Sequence, residues 1–256
     1  MLIREIKLEG AFNVRDLGGL ATDDGRSLTP GLVYRGDALR SLTDEDKRTL
    51  TEDLGIETII DLRTIEEAGG DGLEDARIFP QLTVFNFSIV PEGRIGREPF
   101  PSNDPEKLAE RYLENLEEGL TAIRDALVQL SASVEQGHPV LFHCQAGRDR
   151  TGLLSGLLLK SVGVSDDEII ADYVASNRNA ADVTKRLLEN PLYANGDDKP
   201  DEAPVLLRAE TMKLFLGLIE AHYGGIKRWA RAAGIPDEVL ATLRETLVSE
   251  TPVSEG

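Results

Sequence analysis

The chain predicts an α/β domain that opens on strands and closes on helices, and three observations lead there. Ile56-Glu57-Thr58-Ile59-Ile60 is a β-branched run that reads as a buried strand. Val140-Leu141-Phe142 is a second short apolar strand, and Leu153, Leu154, Leu157, Leu158 and Leu159 behind it are apolar almost all round, the pattern of a buried helix. After Val164 the pattern is helical nearly to the end. One sheet with a C-terminal helical layer is the economical packing for that order. With 256 residues, 41% of them hydrophobic, the chain can build such a core. Residues 1–248 are expected to form a single domain and 249–256 a flexible tail.

The elements follow in order. From Leu2 to Asp37, turn chemistry at Asp24-Gly25 and Pro30-Gly31 separates short apolar segments that lead into Leu32-Val33-Tyr34. Thr43-Asp44-Glu45-Asp46 places a capping hydroxyl and acids at the start of a helix, and Gly55 stands where it should end. The strand over Ile56 to Ile60 ends at Asp61-Leu62-Arg63, and Leu82 to Val90 reads as another strand. Gly, Pro, Ser and Asn make 94–104 a loop and a candidate rim or lid for a site. Two helices follow, the second from Leu120 to Glu135 with Leu120, Ile123, Leu127, Leu130 and Val134 at helical spacing, stopped by Gly137-His138-Pro139. Ser165-Asp166-Asp167-Glu168 and Pro236-Asp237-Glu238 are helix starts, and 195–201 is a polar loop.

Charge narrows the partners. Twenty-eight Lys and Arg against 46 Asp and Glu leave a net −18, a field that repels nucleic acid and anionic bilayers. No nucleic-acid partner and no stable membrane insertion are expected, and any phosphate must be held by local groups. The single cysteine, Cys144, forbids a disulfide within the chain and fits a reducing compartment. The first ten residues alternate charged with apolar side chains where a signal peptide needs an unbroken apolar stretch, so cytoplasmic residence is expected; export without a cleaved signal would leave no mark here. Oligomeric state has no signature in the sequence.

The chemistry concentrates in His143-Cys144-Gln145-Ala146-Gly147-Arg148-Asp149-Arg150-Thr151-Gly152, between the second strand and the buried helix. A loop that ends a strand and opens a helix points successive amides into one concavity with the positive end of the helix dipole behind it, which is an anion site. Gln145, Ala146, Gly147, Arg148 and Asp149 supply that loop, and Gly147 allows a turn that a Cβ would hinder. Arg150 can return its planar fork over the concavity and grip phosphate through two oxygens. Cys144 then lies where the donors that hold a dianion also favour thiolate; such surroundings bring thiol pKa values from about 8.5 to roughly 3.5–7.5. From position, Thr151 is expected to donate its hydroxyl to the sulfur and His143 to fix the loop through its ring. A buried structural cysteine is the bland alternative for Cys144. A sulfur-transfer loop of the rhodanese type also begins with cysteine, but the Arg-Thr-Gly exit argues against it.

The stretch resembles the signature loop of cysteine-dependent protein-tyrosine and dual-specificity phosphatases. Its Arg148-Asp149-Arg150-Thr151-Gly152 ending resembles a bacterial branch that acts on phosphotyrosine and phosphoinositides. Asn13-Val14-Arg15-Asp16-Leu17-Gly18-Gly19, Tyr34-Arg35-Gly36-Asp37, Ile60-Asp61-Leu62-Arg63 and Ala171-Asp172-Tyr173 through Ser176-Asn177 occur in that branch's order. The resemblance implies a central mixed sheet flanked by helices and a metal-independent, cofactor-free phosphatase. Its substrates would be phosphorylated protein, with phosphoinositide or inositol phosphate as the alternative. It implies attack by Cys144, a phosphocysteine intermediate, and charge stabilisation by Arg150 and the loop amides. No Trp-Pro-Asp loop is present, since the one tryptophan is Trp229. The resemblance makes Asp61 the first candidate for general acid, against an ion pair with Arg63 or Arg15. Asp149 is the second candidate. Arg148 suits a substrate with extra phosphate or counters the acidic surface. Asn13, Arg15 and Asp16 are expected to brace loops; Arg111 and Tyr112 resemble a helix-borne pair near the site, with a solvated face and a packed ring as the favoured reading. His138 and His222 lack ligand spacing, so no metal is expected. A catalytically poor phosphopeptide-binding module on the same fold is the alternative from another class; the intact Cys144 and Arg150 count against it.

Overall fold

The computed structural model describes residues 4–95, 104–194, 204 and 206–249. Six strands form one mixed sheet: β1 (Arg4–Glu5), β2 (Arg15–Asp16), β3 (Val33–Gly36), β4 (Thr58–Asp61), β5 (Thr83–Asn86) and β6 (Val140–His143), in the order β1-β2-β3-β6-β4-β5. The first three pair antiparallel, and β3, β6, β4 and β5 run parallel. Every residue of β3, β4 and β6 is buried, as expected of parallel strands covered on both faces.

The period of two sorts their side chains between two cores. Ile59 and Leu141 join a smaller cluster with Val14, Tyr34, Leu50 and Phe79. Ile60 and Phe142 face the larger cluster. Seven helices form or flank that larger side: α3 (Pro105–Glu118), α4 (Leu120–Glu135), α5 (Asp149–Val162), α6 (Asp166–Ala175), α9 (Ala209–Tyr223), α10 (Ile226–Ala232) and α11 (Asp237–Leu247). α5 is buried almost throughout, so its leucines have no solvent face to avoid. Trp229 is a core residue of α10.

Local capping signals mark three of the helix starts. Thr43 caps α1 (Asp44–Arg48) in a reciprocal capping box with Asp46, Ser165 caps α6 (Asp166–Ala175) through the amide of Glu168, and Asp104 caps α3. α1 loosens into a π turn over Thr49–Asp53 before Gly55 reverses the chain at φ +64°. The strand expected over Leu82 to Val90 is shorter: β5 has β4 as its one partner and stops where Asn86 meets the last residue of β4, Asp61. Two short helices, α2 (Glu74–Ile78) and α8 (Pro191–Ala194), were too brief for any periodicity to show; α7 (Ala180–Glu189) precedes α8. Of the 94–104 loop, positions 96–103 lie outside the described residues, as do 195–201 and the expected tail beyond Ser249. Ser249 itself donates its amide to the carbonyl of Ser27. No described helix is long and apolar enough to cross a membrane.

Candidate active site

β6 lies between β3 and β4, and in register its last residue, His143, stands beside Gly36 and Asp61. Loops leaving three adjacent parallel strands therefore emerge together, where open sheets place their ligands. Cys144 follows directly and α5 begins five residues later at Asp149. Gly147 adopts φ +66°, and a Cβ there would lie 2.6 Å from the carbonyl oxygen of Gly36, so both conformation and space demand glycine.

The loop's carbonyls are held from outside. Asn13 Nδ2 donates to the carbonyls of Ala146 (3.3 Å) and Gly147 (2.9 Å), Arg35 Nη2 donates to Gly147 O (2.9 Å), and the Ala38 amide donates to Gln145 O (3.2 Å). A trans peptide sends its N–H opposite its C=O, so the amides of Ala146, Gly147 and Arg148 turn the other way. Among the described residues, the amides of Gln145, Ala146, Gly147 and Arg148 have no acceptor. Cys144, 2% exposed and free, immediately precedes this set in the chain.

The outer grip is anchored by Asp172 on α6. Its carboxylate accepts from Arg15 Nε (2.7 Å) and Arg35 Nη1 (2.5 Å), and Arg15 Nη1 donates to Asn13 Oδ1 (2.6 Å). Burial and the neighbouring Arg15 bring Arg35 down to about 10. Asp37 accepts from the amides of Phe12 and Asn13 and fixes the segment that carries Asn13. Asn13 and Arg15 thus brace the loop, whereas Asp16 accepts from Gly18 and Gly31 and folds the β2–β3 connection instead.

Arg150 is oriented by a residue the sequence did not single out. Glu67 accepts from Nη1 at 2.6 Å and Nη2 at 2.8 Å, and both side chains are buried. Burial alone would raise Glu67, but the charge and hydrogen bonds of Arg150 hold it down at about 2. The Tyr193 hydroxyl, from α8, donates to Glu67 Oε1 and accepts from Arg150 Nη2 at 3.3 Å. Cys144 lies close enough for a thiolate's charge to act on Arg150, Arg35 and Tyr193. Glu67 had one legible signal: Thr64 and Glu67 form a capping-box pair, with the Thr64 hydroxyl receiving the Glu67 amide and Glu67 Oε2 receiving the Thr64 amide.

Other expected residues are placed differently. Asp61 is 1% exposed and its two oxygens accept from Arg63 Nε and Nη2, the ion-pair alternative weighed against its role as acid. Arg63 also reaches Asp75 on α2 (3.1 Å), and Asp75 accepts from His143 Nε2 (2.6 Å). Asp61, Asp75 and His143 converge closely enough for a metal, but both carboxylates are already engaged by the Arg63 guanidinium, and Asp75 by His143 as well. His143 Nδ1 lies 3.2 Å from the carbonyl of Cys144 at the start of the loop. Thr151 Oγ1 is buried without a hydrogen-bond partner, so the expected bond to sulfur is not formed. Arg148 is 5% exposed and its Nε has no partner. Asp149 is half-buried, and its Oδ1 accepts the Tyr112 hydroxyl at 2.7 Å. Tyr112 packs edge-on against Tyr173 and Phe215, while Arg111 faces Glu114 at the surface.

The family model described as "Tyrosine phosphatase family" matches residues 6–249. The triple specificity protein phosphatase PtpB of Mycobacterium tuberculosis is 28% identical, over 97% of this chain and 100% of its own. A tyrosine-protein phosphatase of Nostoc commune is 29% identical over 82% of this chain and 71% of its own. The crystal structure of TpbA from P. aeruginosa covers 68% of this chain and 90% of its own at 14% identity with a TM-score of 0.30, too loose a superposition to argue from. With the match running through nearly its whole length, the chain belongs to the tyrosine phosphatase family and is an enzyme of the phosphoric monoester hydrolase class.

Proposed function

We propose that the protein hydrolyses phosphotyrosine through a phosphocysteine formed on Cys144, with Asp149 as general acid and then base. One observation carries the reading: carbonyls of the loop that follows Cys144 are held from outside, its amides are left without acceptors, and Arg150 lies close enough to feel the charge of Cys144. The sulfur attacks phosphorus in line and the ester oxygen leaves with the proton of Asp149. Water then attacks phosphorus, gives its proton to Asp149, and releases phosphate and the thiolate. The amides and Arg150 stabilise the charge on the equatorial oxygens. Glu67 occupies two of the five guanidinium N–H donors, which fixes the plane of the fork and leaves others for phosphate.

Asp149 is preferred to Asp61 because it sits in the loop, half-buried, with Tyr112 donating to one oxygen and orienting the other. Asp61 has both oxygens on Arg63 and no exposed surface to speak of. A second reading, hydrolysis of a phosphoinositide or inositol phosphate, is favoured by Arg148, a buried guanidinium in the loop whose Nε is unpaired and suits an additional phosphate.

The test is phosphate release, with chelator present, from a phosphotyrosine peptide, a phosphoserine peptide and short-chain phosphoinositides. Wild type should turn over the tyrosine peptide, and Cys144→Ser should bind it without turnover. Steady turnover by Cys144→Ser would overturn the covalent mechanism. Faster release from phosphoinositides that Arg148→Ala abolishes would favour the second reading. Binding without release by wild type would indicate a phosphopeptide-binding module.

A further inference from the structure

His143 offers a deduction that the loop chemistry leaves unused. Its Nε2 faces a carboxylate oxygen of Asp75 and its Nδ1 faces the carbonyl of Cys144, and both partners only accept. A neutral imidazole has one N–H, so one of these contacts would set a lone pair against a lone pair. The ring is fully buried, and no water-exposed face can relieve that. A proton shared the other way, on Asp75, is opposed by Arg63, whose Nη2 donates to Asp75 Oδ1. The geometry therefore demands an imidazolium.

We infer that Asp75 is a positioning residue for the nucleophile: through Nε2 it keeps His143 doubly protonated, so that a fixed cation bonds the backbone of Cys144 from beneath the phosphate cradle. The inference rests on the reading of Cys144 as nucleophile. The groups facing the ring are Asp75 from α2, Asp61 from the end of β4, Arg63 just after it, and Cys144. Burial alone would lower His143, but Asp75 first and Asp61 second outweigh it and push the ring up to about 9, with Arg63 opposing. Asp75 acts at a distance from the reacting atoms. Its removal takes away one negative charge and lets the imidazolium lose its proton, so the buried cluster keeps its balance and the variant can fold.

The composition makes the test clean, because the chain has one cysteine and three histidines. Iodoacetate uptake reads Cys144 alone, and of the other two rings His138 is 42% exposed and His222 is exposed. In 15N-histidine spectra of wild type at pH 7.5, one ring should show both nitrogens protonated, and that signature should vanish in Asp75→Asn. The pH midpoint of iodoacetate uptake should rise by about one unit in Asp75→Asn. It should rise equally in His143→Asn and no further in the double variant, while Asp75→Glu should restore much of the wild-type midpoint. A neutral His143 ring in wild type, or an uptake profile of Asp75→Asn that overlies wild type, overturns the inference. If Asp75→Asn does not fold, the wild-type spectrum decides by itself. None of these readouts uses a substrate, so failure of the phosphatase reading would appear separately as absent turnover.

Discussion

Two buried ionic networks flank the loop that follows β6, and they are balanced differently. On the β3 side Arg15 and Arg35 share a single carboxylate, Asp172, leaving a surplus cation. On the β4 side Arg63 and the doubly protonated His143 meet Asp61 and Asp75, and the outlying Glu74 adds a further contact to Arg63. That side is closed on itself. A buried unpaired charge costs several kcal/mol, so a surplus is tolerable where a ligand brings the counter-charge. The charge of Cys144 acts on Arg35, and Arg35 also holds the carbonyl of Gly147, so the surplus sits beside the phosphate cradle. On the proposed reading the closed network needs no ligand, and the open one takes its counter-charge from the substrate phosphate.

The comparison can be broken at several points. Asp149→Asn should lower kcat by about 10²–10⁴-fold with little loss of stability, least for esters whose leaving group needs no proton. Asp61→Asn should reverse that pattern, lowering stability by about 3–5 kcal/mol in urea unfolding because Arg63 loses its bidentate partner. If Asp61→Asn instead shows the leaving-group pattern, the acid assignment moves to Asp61. Asp172→Asn strands two arginines at once and should cost at least as much stability as Asp61→Asn. Saturating phosphate should recover part of that loss, whereas it should not help Asp61→Asn.

The pH dependence of unfolding sharpens the contrast further. His143 is raised to about 9, so its stabilisation is complete below its ordinary 6.5 and is lost as pH climbs through about 9. Glu67 is lowered to about 2, so its stabilisation is present above its ordinary 4.5 and is lost as pH falls through about 2. His143→Asn should flatten the alkaline limb and leave in place the part of the acid limb that Glu67 sets, while Asp75, which burial would raise and which is held low chiefly by His143, loses its share of that limb. The smallest effect is at Tyr193, whose phenol rests on Arg150 and Glu67. Tyr193→Phe should raise kcat/KM by about two- to tenfold by removing one hydrogen bond that phosphate must displace.

Much of the fold was legible because its signals are local. The buried strand at Ile59 and Ile60, the periodicity over Leu120 to Glu135, and the caps at Thr43 and Ser165 each depend on residues within a few positions of one another. The short helices α2 and α8 were not legible, and they carry Asp75 and Tyr193, two of the side chains that reach the loop. Glu67 was half legible, as the partner of Thr64 but not of Arg150.

What the sequence determined by itself was the loop: a strand, Cys144, a glycine where only glycine fits, and Arg150 on the first turn of a buried helix, all between Val140 and Arg150. What only the tertiary structure decided was which charge serves which partner. Arg150 meets Glu67 across 83 residues, His143 meets Asp75 across 68, and Arg35 meets Asp172 across 137. Backbone preference and periodicity reach a turn or two along the chain, whereas a buried ion pair depends on where the whole chain has been led. Asp61 is the counter-example: its ion pair with Arg63, two residues away, is the local alternative the sequence itself offered beside the acid role that the resemblance implies.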